Sequence, residues 1–206
     1  MKIAIIGSGK IGTTLTGLWA PRGHDIWIAN SRTPSSMDHL DGGWSAVHPS
    51  TVFDAVHNGD VVVLAIPFGQ YPTLDPLLVD NKIVIDAMNY VRERDGRVAE
   101  IEEGVSTSSE LVQRRFRTSV VVKSVNSIFW EHLRDRGVES GDPRRLALPM
   151  AGNDSGAKAT VAVLLDDAGF DHVDAGLLRE GQRFQRGTPP YVQLYRRSEL
   201  ENALQW

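Results

Sequence analysis

The sequence contains no cysteine among its 206 residues, so disulfide bonds, thiolate nucleophiles and zinc-thiolate sites are excluded. No apolar run approaches the length of about 20 residues that a membrane-spanning helix needs. Strand-like sequence begins almost at once, without the charged segment and apolar stretch of a cleavable signal. The six histidines are scattered and lack metal-ligand spacing, so we expect no metal site. Together these absences lead us to expect a cytoplasmic protein without a membrane partner.

Positive charge is sparse in one half of the chain. Residues 1–110 carry 8 Lys and Arg against 14 Asp and Glu, whereas residues 111–206 carry 14 against 12. The C-terminal half could therefore dock an anionic substrate, although its arginines are also spread as they would be on a solvated face. Because no dense basic cluster occurs, we expect no nucleic-acid partner. The arginines in question are Arg114, Arg115, Arg117, Arg144, Arg145, Arg179, Arg183 and Arg186.

The most informative stretch is KIAIIGSGKIG, residues 2–12, where an apolar strand-like run leads into a glycine-rich loop and then a helix-like pattern. The loop reads Gly7-Ser8-Gly9-Lys10-Ile11-Gly12, which is the G-x-G-x-x-G pattern of dinucleotide binding. Gly7 permits the tight turn, Gly9 lets the backbone approach a pyrophosphate, and Gly12 lets the helix pack against the sheet. Glycines also cluster in ordinary turns, so the order of strand, loop and helix supports the prediction more than the motif does.

Apolar runs alternate with helix-like segments along the rest of the chain. Strand-like runs occur at 25–29, 61–66, 82–88, 118–122, 146–150 and 170–174, and helical spacing at 10–22, 52–56, 154–167 and 198–204. This alternation predicts an α/β fold with a doubly wound, mostly parallel sheet. We expect residues 1–145 to form a Rossmann core and residues 146–206 to add a strand-helix-strand unit and a tail that closes the substrate cleft, within one compact domain. The charged segment 130–145 is expected to be a loop or lid.

The residues after the second expected strand indicate which dinucleotide binds. Enzymes selective for NAD usually place Asp or Glu there, but this chain has Asn30, Ser31 and Arg32. The Arg32 guanidinium can pair with a 2′-phosphate, and the Ser31 hydroxyl can donate to it. We therefore predict NADP(H) as the cofactor, with Ser35 or Ser36 capping a short helix near the same phosphate. The alternative is that Arg32 is a surface arginine without a ligand.

Ligands of a doubly wound sheet bind beyond the carboxyl ends of its strands. Pro67 would shape the wall on the nicotinamide side, and Asn89 or Asn126 would orient the carboxamide or a substrate carbonyl. Asn and Pro are also common in turns after strands, which is the alternative explanation. The Tyr-x-x-x-Lys signature of short-chain dehydrogenases is absent at all four tyrosines, so no catalytic residue is assigned. The residues at these strand ends are Ile66, Pro67, Phe68, Asn89, Lys123 and Asn126, of which Asn89, Lys123 and Asn126 are the catalytic candidates.

Motifs along nearly the whole chain resemble the NADP oxidoreductase family typified by NADPH-dependent reductases of the deazaflavin coenzyme F420. The matching segments are residues 7–12, 30–32, 65–68, 86–90, 109–111, 122–126, 151–154 and 187–189. The resemblance implies a Rossmann protein, often a homodimer, whose second ligand lies over the nicotinamide in a cleft closed by C-terminal segments. It also implies that Ser31 and Arg32 hold the 2′-phosphate, and that Pro67, Phe68, Asn89 and Asn126 lie near the nicotinamide.

Three functions follow as hypotheses. The leading one is hydride transfer between NADPH and a deazaflavin or flavin-like small-molecule acceptor, which requires orientation more than a side-chain acid. The second is reduction of a small carbonyl or imine substrate with assistance from Lys123 or Tyr90. The third is a non-catalytic NADP-binding sensor that works with a protein partner.

Overall fold

The structure, a computed structural model, describes residues 1–40 and 43–205, in which eight strands form one sheet. The strands are β1 Lys2–Ile6, β2 Asp25–Ala29, β3 Val47–Ser50, β4 Val61–Leu64, β5 Ile83–Asp86, β6 Val120–Ser124, β7 Ala147–Gly152 and β8 Asp171–Asp174. Their order across the sheet is β3-β2-β1-β4-β5-β6-β7-β8. Strands β1 to β6 are parallel, whereas β7 is antiparallel to β6 and parallel to β8. The predicted doubly wound, mostly parallel sheet is confirmed.

Helices cover both faces of this sheet. They are α1 Lys10–Trp19, α2 Val52–Asn58, α3 Arg92–Asp95, α4 Ala99–Glu102, α5 Ser108–Arg115, α6 Trp130–Asp135, α7 Ser155–Asp167 and α8 Arg197–Ala203. Short 3-10 helices occupy Ala20–Arg22, Pro34–Leu40, Phe68–Thr73, Pro76–Val79 and Leu178–Phe184. The four helical segments predicted from sequence correspond to α1 with its 3-10 extension, α2, α7 and α8.

Strand β1 illustrates why the core has two halves. Ile3 and Ile5 are fully buried on one face, in a cluster that includes Trp19 of α1. The alternate residues Ala4 and Ile6 point to the other face and join a second cluster. Both faces of a central parallel strand are therefore apolar, which explains the continuous apolar runs in the sequence.

Several local expectations are wrong. The segment 130–145 is not a loop throughout, because α6 occupies its first six residues and buries Leu133 completely. Ser35 and Ser36 lie inside the 3-10 helix Pro34–Leu40 and do not precede it as caps. Arg145 is not on a solvated face: it is 4% exposed and forms ion pairs with Asp166 and Asp171 at 2.6 and 3.0 Å.

Other elements were not anticipated from the sequence at all. Strand β3 reads VHPS and contains Pro49, which an edge strand tolerates because one side of its backbone pairs with no neighbour. Helix α5 begins with a capping box, in which the Thr107 side chain accepts from the Glu110 N–H and the Glu110 carboxylate accepts from the Thr107 N–H.

The order of the strands defines where a ligand can bind. From β1, the chain moves outward to β2 and β3 on one side and to β4 and β5 on the other, so the β1–β4 boundary is a topological switch point. Strands β7 and β8 extend the same sheet, and the proposed division after residue 145 stays a prediction. Within residues 1–40 and 43–205, no helix is both long and apolar enough to cross a bilayer.

Candidate functional site

A cleft of about 650 Å³ opens at the switch point, beyond the carboxyl ends of β1 and β4. The glycine-rich loop forms one side, the segment after β2 forms the mouth, and the 3-10 helix after β4 forms the opposite wall. The lining residues are Ile6, Gly7, Ser8, Gly9, Asn30, Ser31, Arg32, Val52, Ala65, Ile66, Pro67, Gln70, Thr73 and Leu74. We call this the dinucleotide end of the site.

The three glycines of the loop have different physical roles. Gly7 has a φ of +118°, and a Cβ there would lie 2.2 Å from the carbonyl oxygen of Ala65. A Cβ on Gly12 would lie 1.9 Å from the carbonyl oxygen of Gly7, so α1 packs directly on the turn. Gly9 differs, because a Cβ on it would meet no protein atom within 4 Å. The space beside Gly9 is thus kept open on the cleft side, where α1 begins and its N–H groups could hold a pyrophosphate.

Asn30 organises the mouth of the dinucleotide end. Its amide nitrogen donates to the Ser8 hydroxyl at 2.9 Å and to the Ser36 hydroxyl at 3.1 Å. Its amide oxygen accepts from the backbone N–H of Arg32 at 2.7 Å. These bonds fix the turn after β2 against the glycine loop, so that Ser31 and Arg32 line the cleft.

The Arg32 guanidinium is exposed and has no ion pair with any residue in the described part of the chain. Across residues 1–40 and 43–205, no carboxylate lies within ion-pair distance of it, whereas Arg22 and Arg114 each bind a glutamate at 2.8 Å. An arginine without a protein partner at the mouth of a cleft is available for an anionic ligand. Its five donors suit a phosphate group.

The site continues past β4 through two smaller cavities of about 330 and 200 Å³. The first shares Ala65, Ile66 and Pro67 with the dinucleotide end, and its other lining residues are Lys10, Ile11, Ala87, Met88, Asn89, Val91, Arg94 and Tyr191. The second is lined by Ile11, Ala87, Asn89, Val125, Asn126, Ile128, Phe129, Trp130, Tyr191 and Val192. We call these two cavities together the acceptor end. Because neighbouring cavities share walls, the site is one groove along the ends of β1, β4, β5 and β6.

Two asparagines meet at the floor of the acceptor end. The Asn89 amide nitrogen donates to the Asn126 carbonyl oxygen at 2.8 Å, and the Asn126 amide nitrogen donates to the Asn89 amide oxygen at 3.3 Å and to the Phe184 carbonyl at 3.2 Å. Asn126 is 4% exposed, yet its amide oxygen accepts no hydrogen bond within the described residues. A buried acceptor without a donor is unfavourable, so an unsatisfied group lies directly beneath the smaller cavity that Asn126 lines.

Two valines of the acceptor end adopt left-handed backbone conformations. Val125 has a φ of 66° and Val192 a φ of 55°, a region that β-branched residues rarely enter. Such conformations cost on the order of 1–3 kcal/mol each and persist only where the surroundings hold them. Val192 is held by its N–H, which donates to the Ser127 carbonyl at 2.9 Å. The strained residues directly adjoin Asn126 and Tyr191, so strain is concentrated where these side chains enter the groove.

An adjacent Arg–Asp pair ties two walls of the groove together. Asp95, whose side chain is 2% exposed, accepts from the N–H groups of Gly69 at 3.1 Å and Val91 at 2.8 Å. Arg94 binds the same carboxylate at 2.8 Å and donates to the Asn89 carbonyl at 2.8 Å. Burial opposes the charge on Asp95, but the bonds from Arg94 and the two N–H groups outweigh it and lower the pKa of this carboxyl.

Lys123 lies beneath the acceptor end and not in it. Its side chain is 1% exposed, and its ammonium lies 3.6 Å from Asp86, which is completely buried. It also donates to the Met88 carbonyl at 3.3 Å. Asp86 in turn accepts from the Ser109 hydroxyl at 2.6 Å and from the Met88 N–H at 3.0 Å. The network supports the turn that carries Asn89.

The structure brings most of the predicted residues to the groove. Those at the dinucleotide end are Gly7, Ser8, Gly9, Asn30, Ser31, Arg32, Ile66 and Pro67, and those at the acceptor end include Lys10, Ile11, Asn89 and Asn126. Gly12, Phe68 and Lys123 line none of these cavities. Phe68 is 2% exposed and packs on the rings of Tyr71 and Tyr90.

Tyr90 also turns away from the groove. Its hydroxyl lies 2.7 Å from a Glu102 carboxylate oxygen and 2.8 Å from the Gly96 carbonyl, and it accepts from the Val98 N–H at 3.2 Å. Burial, followed by the bond to Glu102, raises the pKa of Tyr90. Its proton is therefore engaged within the protein.

Sequence reasoning missed the three aromatic residues of the acceptor end, which are Phe129, Trp130 and Tyr191. Trp130 lies between the ammonium of Lys10 and the guanidinium of Arg134, each 4.9 Å from the ring centroid. Tyr191 lines both cavities of the acceptor end, although it lies about a hundred residues from Asn89 in the sequence. The available sequence signal for Tyr191 was a tyrosine directly after the turn at Pro189-Pro190.

Residues 2–90 match the family described as NADP oxidoreductase, coenzyme F420-dependent. The family resemblance predicted from the motifs is thereby confirmed over this range, which contains β1 to β5 and the whole dinucleotide end. A comparison with curated protein sequences gives no match.

Several solved structures are similar in shape to this chain. A hypothetical protein from Sinorhizobium meliloti is 28% identical, with 96% of each chain covered and a TM-score of 0.82. A proposed F420-dependent NADP reductase from Arthrobacter sp. is 25% identical, covering 88% of this chain and 87% of its own, with a TM-score of 0.76. A reductive aminase from Aspergillus terreus in complex with NADPH and ethyl-5-oxohexanoate is 14% identical over 86% of this chain and 56% of its own, with a TM-score of 0.61. At that identity the last similarity concerns the fold alone.

Proposed function

We propose that this chain, whose residues 2–90 match an NADP oxidoreductase family, transfers a hydride between NADPH and a deazaflavin of the F420 type or a flavin-like acceptor. The observation that carries this proposal is the continuous groove that runs from the exposed Arg32 to the Asn89–Asn126 pair. Such a groove has a site for a phosphate at one end and a site for a second ligand at the other.

The dinucleotide end would bind the adenosine half and the phosphates of NADP(H). Arg32 and Ser31 would hold the 2′-phosphate, and the N–H groups at the start of α1 would face the pyrophosphate beside Gly9. A carboxylate in place of Arg32 would repel the 2′-phosphate, so its absence after β2 favours NADPH over NADH.

The acceptor end would bind the nicotinamide and the acceptor next to each other. NADPH, when bound, supplies the hydride. Asn89 and Asn126, which line this end, would orient the ligand in the plane of the groove through their side-chain amides. Pro67, Ile11 and Ala87 supply apolar walls beside the reacting atoms.

The test is absorbance-followed oxidation of NADPH by the purified protein with coenzyme F420, with flavin mononucleotide in parallel and NADH as the control donor. We expect turnover with F420 and NADPH, and at least tenfold less with NADH. Tight NADPH binding without turnover on either acceptor would contradict the proposal and favour a sensor that acts through a protein partner.

A second candidate, reduction of a small carbonyl or imine, is favoured by the size of the smaller cavity of the acceptor end, about 200 Å³. Reductive aminases and imine reductases share the fold. Oxidation of NADPH by a small cyclic imine such as 1-pyrroline, but not by F420, would favour this candidate over the first.

A further inference from the structure

Tyr191 occupies the junction of the two cavities of the acceptor end, beside Asn89 and Ile11. Its side chain is half-buried, and no residue within 1–40 and 43–205 makes a hydrogen bond with its hydroxyl. A phenol usually finds a hydrogen-bond partner when it is buried in a protein. The Tyr191 hydroxyl is therefore available to a ligand in the groove.

The segment that carries Tyr191 is fixed in place. The Tyr191 N–H donates to the Thr188 carbonyl at 3.1 Å, and the next residue, Val192, donates to the Ser127 carbonyl at 2.9 Å. Pro190, the residue before Tyr191, is buried. The left-handed conformation of Val192 turns the chain immediately after the tyrosine. A side chain held this way loses little freedom when it contacts a ligand.

Tyr191 is protonated at neutral pH. Burial raises the pKa of its phenol, while the positive charges of Arg186 and Arg94 oppose that rise. The same two guanidinium groups would stabilise a phenolate formed for a short time. The Tyr191 phenol can thus be protonated before the reaction and lose its proton during it.

We propose that Tyr191 is a catalytic residue that donates the proton required when the acceptor takes up hydride, an inference that rests on the proposed function. The acceptor atom is a carbon double-bonded to oxygen or nitrogen, as in a ketone or an imine, or the central ring atom of a conjugated system, which is carbon in a deazaflavin and nitrogen in a flavin. The hydride forms a new bond to that atom, and the displaced π electrons move to the oxygen or nitrogen at the other end of the double bond or conjugated system. The O–H bond of Tyr191 breaks as the heteroatom–H bond forms, and water entering the open groove reprotonates the phenolate.

Three other donors near the groove, Lys123, Tyr90 and Arg94, are poorly suited to this step. Lys123 is 1% exposed and lies beneath the floor beside Asp86. The Tyr90 hydroxyl is engaged by Glu102 and Gly96. The Arg94 guanidinium stays protonated at any pH of interest and already binds Asp95 and Asn89.

The experiment compares wild type, Tyr191→Phe and Tyr195→Phe. Tyr195 is a matched control, because it lies four residues further along the same tail, is half-buried and lines neither cavity of the acceptor end. One arm measures turnover of NADPH with F420, flavin mononucleotide and 1-pyrroline. The other measures, by calorimetry, NADP⁺ binding and the binding of F420 and of flavin mononucleotide to the NADP⁺-saturated protein.

For Tyr191→Phe we expect unchanged NADP⁺ binding, three- to fifteenfold weaker acceptor binding and at least thirtyfold slower turnover, with Tyr195→Phe like wild type. Active wild type with equal turnover and equal acceptor affinity in Tyr191→Phe would overturn the role of Tyr191 alone. Wild type that turns over none of the acceptors would overturn the proposed function. Even then, calorimetry tests the contact with Tyr191. That contact is overturned if F420 and flavin mononucleotide do not bind wild type, or if they bind Tyr191→Phe as tightly as wild type.

Discussion

The dinucleotide end and the acceptor end of the groove are built in different ways. The dinucleotide end comes entirely from residues 6–74, chiefly the short segments 6–9, 30–32 and 65–74. The acceptor end shares residues 65–67 with it and combines residues 10–11 with segments from the middle and the end of the chain, near residues 87–94, 125–130 and 191–192. The first end depends on local backbone geometry, and the second on contacts between distant segments.

The two ends also differ in how well their polar groups are hydrogen-bonded and in how strained their backbone is. At the dinucleotide end, close backbone approach at Gly7 and Gly12 leaves little room for side chains, and the polar groups Asn30 and Ser8 satisfy each other. At the acceptor end, the buried oxygen of Asn126 has no donor, and Val125 and Val192 are strained. Unsatisfied and strained groups tend to collect where a protein contacts ligands. The acceptor end is therefore the less relaxed part of the site and the part more sensitive to distant substitutions.

The largest effect is expected from Lys123→Met, which tests whether the acceptor end rests on its buried ion pair. Removing the lysine leaves Asp86 charged and buried, so we expect the free energy of unfolding to fall by about 3–5 kcal/mol. Chemical denaturation measures it. Lys158→Met is the control: its ion pair with Asp174 is shorter, 2.6 Å, but that carboxylate is 47% exposed, and a loss below about 1 kcal/mol is expected. Equal losses would mean that burial of Lys123 does not matter.

The glycine loop provides the second test, this time at the dinucleotide end. Gly12→Ala places a Cβ 1.9 Å from a backbone oxygen and should lower the free energy of unfolding by about 3 kcal/mol. Gly9→Ala meets no protein atom within 4 Å, so its stability should stay within about 1 kcal/mol of wild type. Its Cβ would enter the space assigned to the pyrophosphate and should weaken NADPH binding at least tenfold. Stable Gly9→Ala that binds NADPH normally would place the pyrophosphate elsewhere.

The same contrast explains how much the sequence could predict. The strand, loop and helix of residues 2–22 lie together in the sequence, and each has its own local signal, so the fold and the dinucleotide end were predictable. The Asn89–Asn126 pair was predicted as two candidates, but their mutual bonds depend on the pairing of β5 with β6. Lys123 was a catalytic candidate because it follows a strand end. Its burial against Asp86 depends on packing that no local pattern reveals.

Tyr191 shows the limit most clearly. Gly187, Pro189 and Pro190 before it favour a turn, but its position beside Asn89 depends on the bond from the Val192 N–H to the Ser127 carbonyl, which joins the tail to a distant segment. Helix α6 was hidden for a related reason, since the charges of residues 131–136 mask the buried Leu133. Tertiary contacts decided both outcomes, and local propensity carried little information about them.

The third test concerns selectivity at the dinucleotide end. Arg32→Ala should weaken NADPH binding by about 1.5–3 kcal/mol and leave NADH binding nearly unchanged, because only NADPH carries the 2′-phosphate. Arg117→Ala is a matched control, since Arg117 is also exposed and has no ion pair among the described residues but lies outside the groove. Binding is measured by the quenching of protein fluorescence. Equal losses for the two nucleotides would contradict the assignment of Arg32.

The smallest effect is expected from a change at Asp95, which lies between the two ends of the groove. Its carboxylate accepts hydrogen bonds from the N–H groups of Gly69 and Val91. Asp95→Asn keeps the shape but loses one acceptor oxygen, so NADPH binding should weaken roughly three- to tenfold, or about 1 kcal/mol. Asp135→Asn is the control, because Asp135 also adjoins an arginine and has a pKa lowered chiefly by its bond to Arg134, but it is 53% exposed and lies outside the groove.

The pH dependence of stability, compared between wild type and Asp95→Asn, gives this test an expected direction. The pKa of Asp95 is lowered from 3.8 in the folded protein, so its contribution to stability is complete above that value and is lost as the pH falls through the folded-state pKa. Thermal unfolding should therefore show a wild-type advantage over Asp95→Asn that is constant from neutral pH to above pH 4 and shrinks only in stronger acid. A wild-type stability advantage that grows on acidification would mean that the Asp95 carboxyl group is protonated in the folded protein. In that case Arg94 would not be its partner, and the link between the two ends would have to lie elsewhere.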